Sequence, residues 1–134
     1  MAIQESGEMY LETIMILSKQ YYTVRAIDIV RYMGFSKASV SRALARLRED
    51  GLISVDSYGH ITCTEKGMEI AEKIYQKRLM LKDFFLKIGV DEETASADAC
   101  RIEHVISDKT LDAINWFGDR LLKSKEAGHL QNET

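Results

Sequence analysis

The sequence predicts a mainly α-helical protein with one short β-hairpin, on three observations. Apolar residues recur at spacings of three and four through most of the chain. None of the 134 residues is a proline that would interrupt a helix. One stretch, residues 52–63, is β-rich and alternating instead. Hydrophobic content of 46% and charged content of 29% fit a folded soluble protein of one modest domain, or two small ones sharing a core. No apolar run approaches the roughly 20 residues needed to cross a bilayer. The N-terminus lacks the basic-then-apolar layout of a signal peptide, so no membrane partner is expected. Two cysteines, Cys63 and Cys100, do not make a disulfide framework, which points to a reducing, cytoplasmic location.

Taken in order, Met9, Tyr10, Ile14 and Leu17 predict a first helix from residue 5 to about residue 19. The polar, aromatic stretch 20–23 separates it from a short helix over 25–32 that carries Ile27, Ile29 and Val30. Gly34 supplies a tight turn, and Ser36 is a good N-cap for a third helix. The inward stripe of that helix is Val40, Leu44 and Leu47, and it stops at Gly51. Helix, turn and capped helix across a glycine are the helix-turn-helix pattern. Residues 52–56 and 60–63, flanking Ser57, Tyr58 and Gly59, then form the two-stranded wing of a winged helix.

Thr64 caps a long helix with an apolar face of Met68, Ala71, Ile74, Leu81, Phe84 and Phe85, ended by Gly89. Residues 91–94, Asp-Glu-Glu-Thr, open the next helix with acids where the helix dipole favours them. Ser107 and Asp108 open a last helix with Leu111, Ile114, Trp116, Phe117, Leu121 and Leu122. These helices carry more apolar surface than a winged helix needs to close its core, so a homodimer is the expected partner. From residue 126 the chain is polar and reads as a flexible tail, with His129 given no role.

The formal net charge of −3 argues against a generic polyanion binder, but phosphate contacts depend on local surface. Residues 36–48 hold four basic side chains, Lys37, Arg42, Arg46 and Arg48, and no acidic one. Double-stranded DNA is the partner such a face suits. Ser36, Lys37, Ser39 and Arg42 stand on the first turns of the third helix, where side chains reach bases and phosphates. Arg42 suits guanine O6 and N7, a contact worth roughly 1–3 kcal/mol of discrimination. Arg46 and Arg48 meet phosphates or water, and Tyr58 and His60 at the wing tip meet the DNA backbone, the minor groove or solvent. Cys63 reads as a buried small hydrophobe.

Within residues 98–108, Cys100, Glu103 and His104 fall three and four apart, on one face if the segment is helical. A thiolate, a carboxylate and an imidazole converging there suit a borderline transition metal. The same trio also reads as a buried cysteine beside a surface Glu–His pair, or as a thiol redox switch at Cys100. The residues alone leave these readings open. No glycine-rich phosphate loop, no nucleophile with a base and no open catalytic position stand out, so neither an enzyme nor a small-molecule substrate is expected.

Several stretches together resemble one family: the metal-dependent repressors that include the diphtheria toxin repressor and the manganese-transport regulators. They are residues 8–14 (Glu-Met-Tyr-Leu-Glu-Thr-Ile), 36–41 (Ser-Lys-Ala-Ser-Val-Ser), 47–52 (Leu-Arg-Glu-Asp-Gly-Leu), 62–67 (Thr-Cys-Thr-Glu-Lys-Gly) and 98–108. The last is similar to the iron-responsive branch, and the layout is that of the shorter, two-domain members. The resemblance implies a DNA-binding repressor activated by Fe(II) or Mn(II), acting as a dimer on a palindromic operator. It implies a winged helix-turn-helix domain over 1–63, a helical metal-binding and dimerisation domain over 64–125 and a tail over 126–134.

The resemblance also implies that Met9, Cys100, Glu103 and His104 form the iron-type primary site, with Glu12 where manganese-type members have a ligating glutamate. Manganese-type members present carboxylates in place of Met9 and Cys100. Sulfur ligands favour Fe(II), Co(II), Ni(II) or Zn(II) over Mn(II), and Zn(II) or Ni(II) binds more tightly than Fe(II) when free. Fe(II) is the expected effector, with Mn(II) weaker and the other ions substituting in vitro. Three second-metal ligand positions of the family depart from the pattern: Arg78 and Ser96 replace histidines, and Lys82 replaces an acid. Either the Arg78 guanidinium stands in for a second cation, pairing with Glu12 or Glu103, or it is a solvated surface arginine. The alternative function is a winged-helix regulator that has lost metal control or responds to thiol redox state through Cys100.

Overall fold

The computed structural model describes the backbone of residues 5–132 and the side chains of residues 6–121. Among the described residues there are six helices and one hairpin: α1 (Glu5–Gln20), α2 (Ala26–Met33), α3 (Lys37–Glu49), β1 (Ile53–Val55), β2 (Ile61–Cys63), α4 (Glu65–Lys87), α5 (Glu92–Ile102) and α6 (Asp108–Asn132). This is the mainly α, winged helix-turn-helix architecture that the sequence predicts, followed by a helical region. Among the described residues no helix is long and apolar enough to cross a membrane. The chain gathers into two compact units, Met1–Tyr75 and Gln76–Thr134. The sequence pattern divides the chain by function after Cys63, and the packing units part inside α4. The reason is packing: Met68, Ile70, Ala71 and Tyr75 of α4 lie against the core of the first unit.

That core joins Leu11, Ile14 and Leu17 of α1 to Ile29 of α2, Val40 and Leu47 of α3, and Ile53 and Ile61 of the hairpin. α3 begins where the Ser36 hydroxyl oxygen accepts the Ser39 amide at 3.1 Å, satisfying one of the amides a helix start leaves over. Its end is a Schellman closure. Gly51 takes φ 75°, its amide donates to the Arg48 carbonyl at 3.1 Å, and the Leu52 amide donates to the Leu47 carbonyl at 2.9 Å. Leu47 and Leu52 are both buried, which completes the motif with its hydrophobic contact.

The antiparallel hairpin pairs Ile53 with Cys63, Ser54 with Thr62 and Val55 with Ile61. The Ile61 amide also donates to the Val24 carbonyl at 2.8 Å, tying the wing to the segment that enters α2. At the base of the wing, the Thr64 hydroxyl donates to the Gly51 carbonyl at 2.7 Å and accepts the Gly67 amide at 3.2 Å. Gly67 is required there by close approach, since a Cβ would run into the Leu52 carbonyl oxygen.

In the second unit, Leu81 of α4, Ala99 of α5 and Leu111 of α6 are the buried centre, with Met80, Phe85, Ile102, Ile106 and Ile114 packed on them. Asp91 caps α5 by accepting the Thr94 amide at 3.0 Å. α6 runs on to Asn132, past the point where the polar sequence predicts a tail. The side chains from residue 122 onward, including that of His129, lie outside the described residues.

Candidate functional site

The second unit brings four polar side chains together from two of its elements. α4 supplies Arg78 and α5 supplies Cys100. Glu103 is the C-cap of α5, and His104 stands in the turn that follows. Here the structure departs from the sequence reading, which put all three of Cys100, Glu103 and His104 on one helix. α5 ends at Ile102, and the Val105 and Ile106 amides both turn back to the Ile102 carbonyl at 3.0 Å. The Glu103 amide still donates to the Ala99 carbonyl at 3.0 Å, so Cys100 and Glu103 keep their helical relation while His104 is re-aimed by the turn.

The Glu103 side chain is fully buried, and that of His104 is 2% exposed. His104 Nε2 lies 3.2 Å from Glu103 Oε1. Arg78 reaches the same carboxylate from the other side, with Nε 3.3 Å from Oε2 and Nη2 3.5 Å from Oε1. Nη2 also donates to Cys100 Sγ at 3.2 Å. An ionised carboxylate out of water needs a partner of opposite charge, and the guanidinium provides it. With its side chain 24% exposed and engaged by two residues, Arg78 is not a solvated surface arginine.

The donor set fits a metal ion. Two atoms bonded to one first-row ion at about 2.0–2.2 Å, at tetrahedral to octahedral angles, sit about 2.8–3.6 Å from each other. The Glu103–His104 spacing of 3.2 Å is that of neighbouring ligands. Of the other positions singled out in the sequence, Lys82 pairs with Glu92 at 3.5 Å, and Ser96 is half-buried on α5. In the first unit, Met9 and Glu12 stand three residues apart on α1, Met9 half-buried and Glu12 only 2% exposed.

The first unit carries the basic face. Lys37, Arg42, Arg46 and Arg48 are all exposed on α3, opposite its buried stripe of Val40, Leu44 and Leu47. The Ser36 hydroxyl donates to the Ser39 hydroxyl at 2.9 Å, so these two act as one polar patch at the helix start. Arg46, itself exposed, stands 4.0 Å from the half-buried Asp50, a contact long enough to cost little to part.

At the wing, Tyr58 is 74% exposed and stacks on His60. His60 itself is held within the protein: Nδ1 lies 3.1 Å from Asp56 Oδ2, and Nε2 3.3 Å from Arg25 Nη2. With a proton on Nδ1, the ring donates to Asp56 and accepts from Arg25. Asp56 was not singled out by the sequence reading. Its Oδ1 accepts the amides of Tyr58 at 2.9 Å and His60 at 2.8 Å, and these backbone bonds, the His60 one foremost, hold its carboxyl below the usual range. The signal for it was an aspartate opening a tight hairpin loop, where a side chain can bond the amides two residues on and beyond. Burial pushes the Cys63 thiol up to about 11, so at neutral pH it is protonated and behaves as an apolar group.

Comparison with known proteins agrees with this division of labour. The N-terminal DNA-binding domain of the iron-dependent repressors matches residues 2–61. Their metal-binding and dimerisation domain matches residues 64–126. An HTH-type transcriptional regulator of Methanocaldococcus jannaschii is 32% identical over 120 residues, 88% of this chain and 96% of the relative. The transcriptional regulator MntR of Escherichia coli O6:H1 is 32% identical over 108 residues, 81% of this chain and 70% of that protein. In fold the chain is similar to a manganese-dependent transcriptional repressor solved in complex with manganese, with a TM-score of 0.77 at 22% identity. That match covers 84% of this chain and 52% of the solved one, so the chain spans about half the length of that repressor.

Proposed function

This chain belongs to the iron-dependent repressor family, and we propose that it is a repressor of metal-ion homeostasis whose DNA binding is switched on by Fe(II), with Mn(II) the weaker agonist. The observation that carries this reading is the buried Glu103–His104 pair at ligand spacing, with Cys100 beside it on the same arginine. In this reading Met9 and Glu12 of α1 and Cys100, Glu103 and His104 of the second unit hold the ion. When bound, it would supply positive charge and directional bonds to these side chains.

The chain's own residues set the preference. The thioether of Met9 and the thiol of Cys100 soften a site that oxygen and nitrogen alone would leave to harder ions, which favours Fe(II) over Mn(II). Zn(II), Co(II) and Ni(II) are accepted in vitro on the same ground. Cys63 and Cys100 form no disulfide, in keeping with a reducing cytoplasm.

Lys37 and Arg42, with the Ser36–Ser39 patch, read bases and phosphates in the major groove, while Arg46 and the wing residues Tyr58 and His60 serve the backbone. Tyr58 makes the contact there, and His60 fixes the loop that presents it. Val105, Trp116 and Phe117, exposed at 70%, 58% and 50%, supply apolar surface for a homodimer. Two copies present two α3 helices to a palindromic operator, whose half-sites are roughly 34 Å apart for successive major grooves.

Anaerobic fluorescence anisotropy at fixed salt, with duplex DNA from upstream of the protein's own gene, tests the reading. Fe(II) should tighten binding, and Mn(II) at the same free concentration should tighten it less. Equal binding in chelator and in Fe(II) contradicts metal activation. Equal activation by the two ions contradicts the iron preference alone.

A further inference from the structure

Arg78 stands beside two of the proposed metal ligands. Its guanidinium is presented by α4, reaches both oxygens of a fully buried carboxylate, and donates to a sulfur at 3.2 Å as well. The closer carboxylate contact is to Oε2, at 3.3 Å, while Oε1 is the atom that faces His104 Nε2 at 3.2 Å. The fork therefore leans on Oε2 of Glu103 and on one lone pair of Cys100, with a longer contact of 3.5 Å to Oε1. The neighbouring cations of α4 are engaged elsewhere, Lys77 with Asp108 at 3.1 Å and Lys82 with Glu92 at 3.5 Å.

Formal charge sharpens the point. Of the proposed ligands, Glu12, Glu103 and Cys100 as the thiolate carry one negative charge each, three in all, while Met9 and neutral His104 carry none. One divalent ion and one guanidinium bring three positive charges, and the site is balanced. A second divalent ion in place beside Arg78 would leave two uncompensated positive charges out of water, which the low dielectric of an interior penalises heavily.

We propose that Arg78 is the site's built-in second cation: it orients Glu103 and Cys100 through its fork and holds the centre to a single divalent ion per protomer. Arg78 is a positioning residue in this scheme and not itself a ligand. The inference rests on the metal-activated reading above and deepens it, because it states how many ions the switch requires.

The test is anaerobic equilibrium dialysis of the full chain against Co(II), with the near-ultraviolet thiolate-to-Co(II) charge-transfer band recorded on the same samples. Wild type should take up one Co(II) per protomer and show the band. Arg78→Lys keeps the charge and should also stop at one, with a weaker and shifted band because a single ammonium cannot span both partners. Arg78→Glu turns one positive charge into one negative, leaving room for one further divalent ion, and should take up two. Two ions in wild type, or one ion in a folded Arg78→Glu variant, overturns the inference. Should circular dichroism show Arg78→Glu unfolded, the wild-type and Arg78→Lys counts decide: one each is expected, and two in either overturns it. No uptake by wild type counts against the metal-activated reading itself, a different result from either.

Discussion

The two units hide and expose opposite things. The first buries apolar side chains from every one of its elements and, Glu12 of α1 apart, keeps its charges outside, so the basic face of α3 is laid over a core that does not depend on it. The second has a smaller apolar centre of Leu81, Ala99 and Leu111 and closes over a carboxylate and an imidazole beside it. In the first unit the residues proposed to contact DNA sit on the surface, where substitution is expected to leave stability nearly unchanged. In the second, the groups proposed to bind the ion are also part of what is buried, so function and stability are coupled.

The largest effect that sharpens this contrast is expected away from either site. Gly67→Ala drives a methyl group into the Leu52 carbonyl, and backbone cannot swing aside as a side chain can. A loss of about 3 kcal/mol or more is expected in chemical denaturation of the first unit. In the second unit, Arg78→Ala leaves the buried Glu103 carboxylate without its guanidinium. The expected cost is about 2–3 kcal/mol, below the 3–5 of a fully buried pair because Arg78 keeps part of its exposure. Unchanged stability would break the claim that the cluster contributes to folding.

Arg42→Ala probes the opposite case. It should reduce discrimination between operator and mismatched duplex by about 1–3 kcal/mol. The melting temperature should hold, surface changes of this kind staying within about 0.5 kcal/mol. A clear drop in melting temperature would show that the basic face is not separable from the core beneath it.

The smallest effect concerns the wing. The Asp56 carboxyl titrates below its usual range in the folded protein, so its contribution is present above the ordinary aspartate value and is lost as pH falls through the lowered one. Asp56→Asn should therefore melt lower than wild type at pH 6, and the gap should close below about pH 4. A gap that widens with acid would reverse the sign and contradict the loop geometry.

Much of the first unit was legible because its signals are local. Gly34 and Ser36 punctuate the turn, Val40, Leu44 and Leu47 mark the buried stripe, and Gly51 closes the helix, each within a few residues of what it controls. The end of α5 was not legible in the same way. Residues 98–108 contain no glycine or proline to announce a stop, and the turn at residues 103–105 is fixed by backbone bonds to Ile102. Cys100, Glu103 and His104 were visible as a cluster from their spacing, but the re-aiming of His104 by that turn was not. The Arg78 pairing was named as one of two readings. Choosing between them needed tertiary contact, because Glu103 lies 25 residues further along the chain. The packing division inside α4 is likewise a tertiary feature: a helix with one continuous apolar face gives no sign that its first turns serve a different core from its last.

In the proposed function, the buried cluster of the second unit sets how tightly the exposed face of the first binds DNA. Anisotropy of an operator duplex with wild type and with Glu103→Gln, each in chelator and in Fe(II), tests it most directly. Fe(II) is predicted to tighten the wild type by about tenfold or more, within the usual range of coupling between sites, and to leave Glu103→Gln unmoved. A Glu103→Gln variant that responds to Fe(II) as strongly as wild type would contradict the claim.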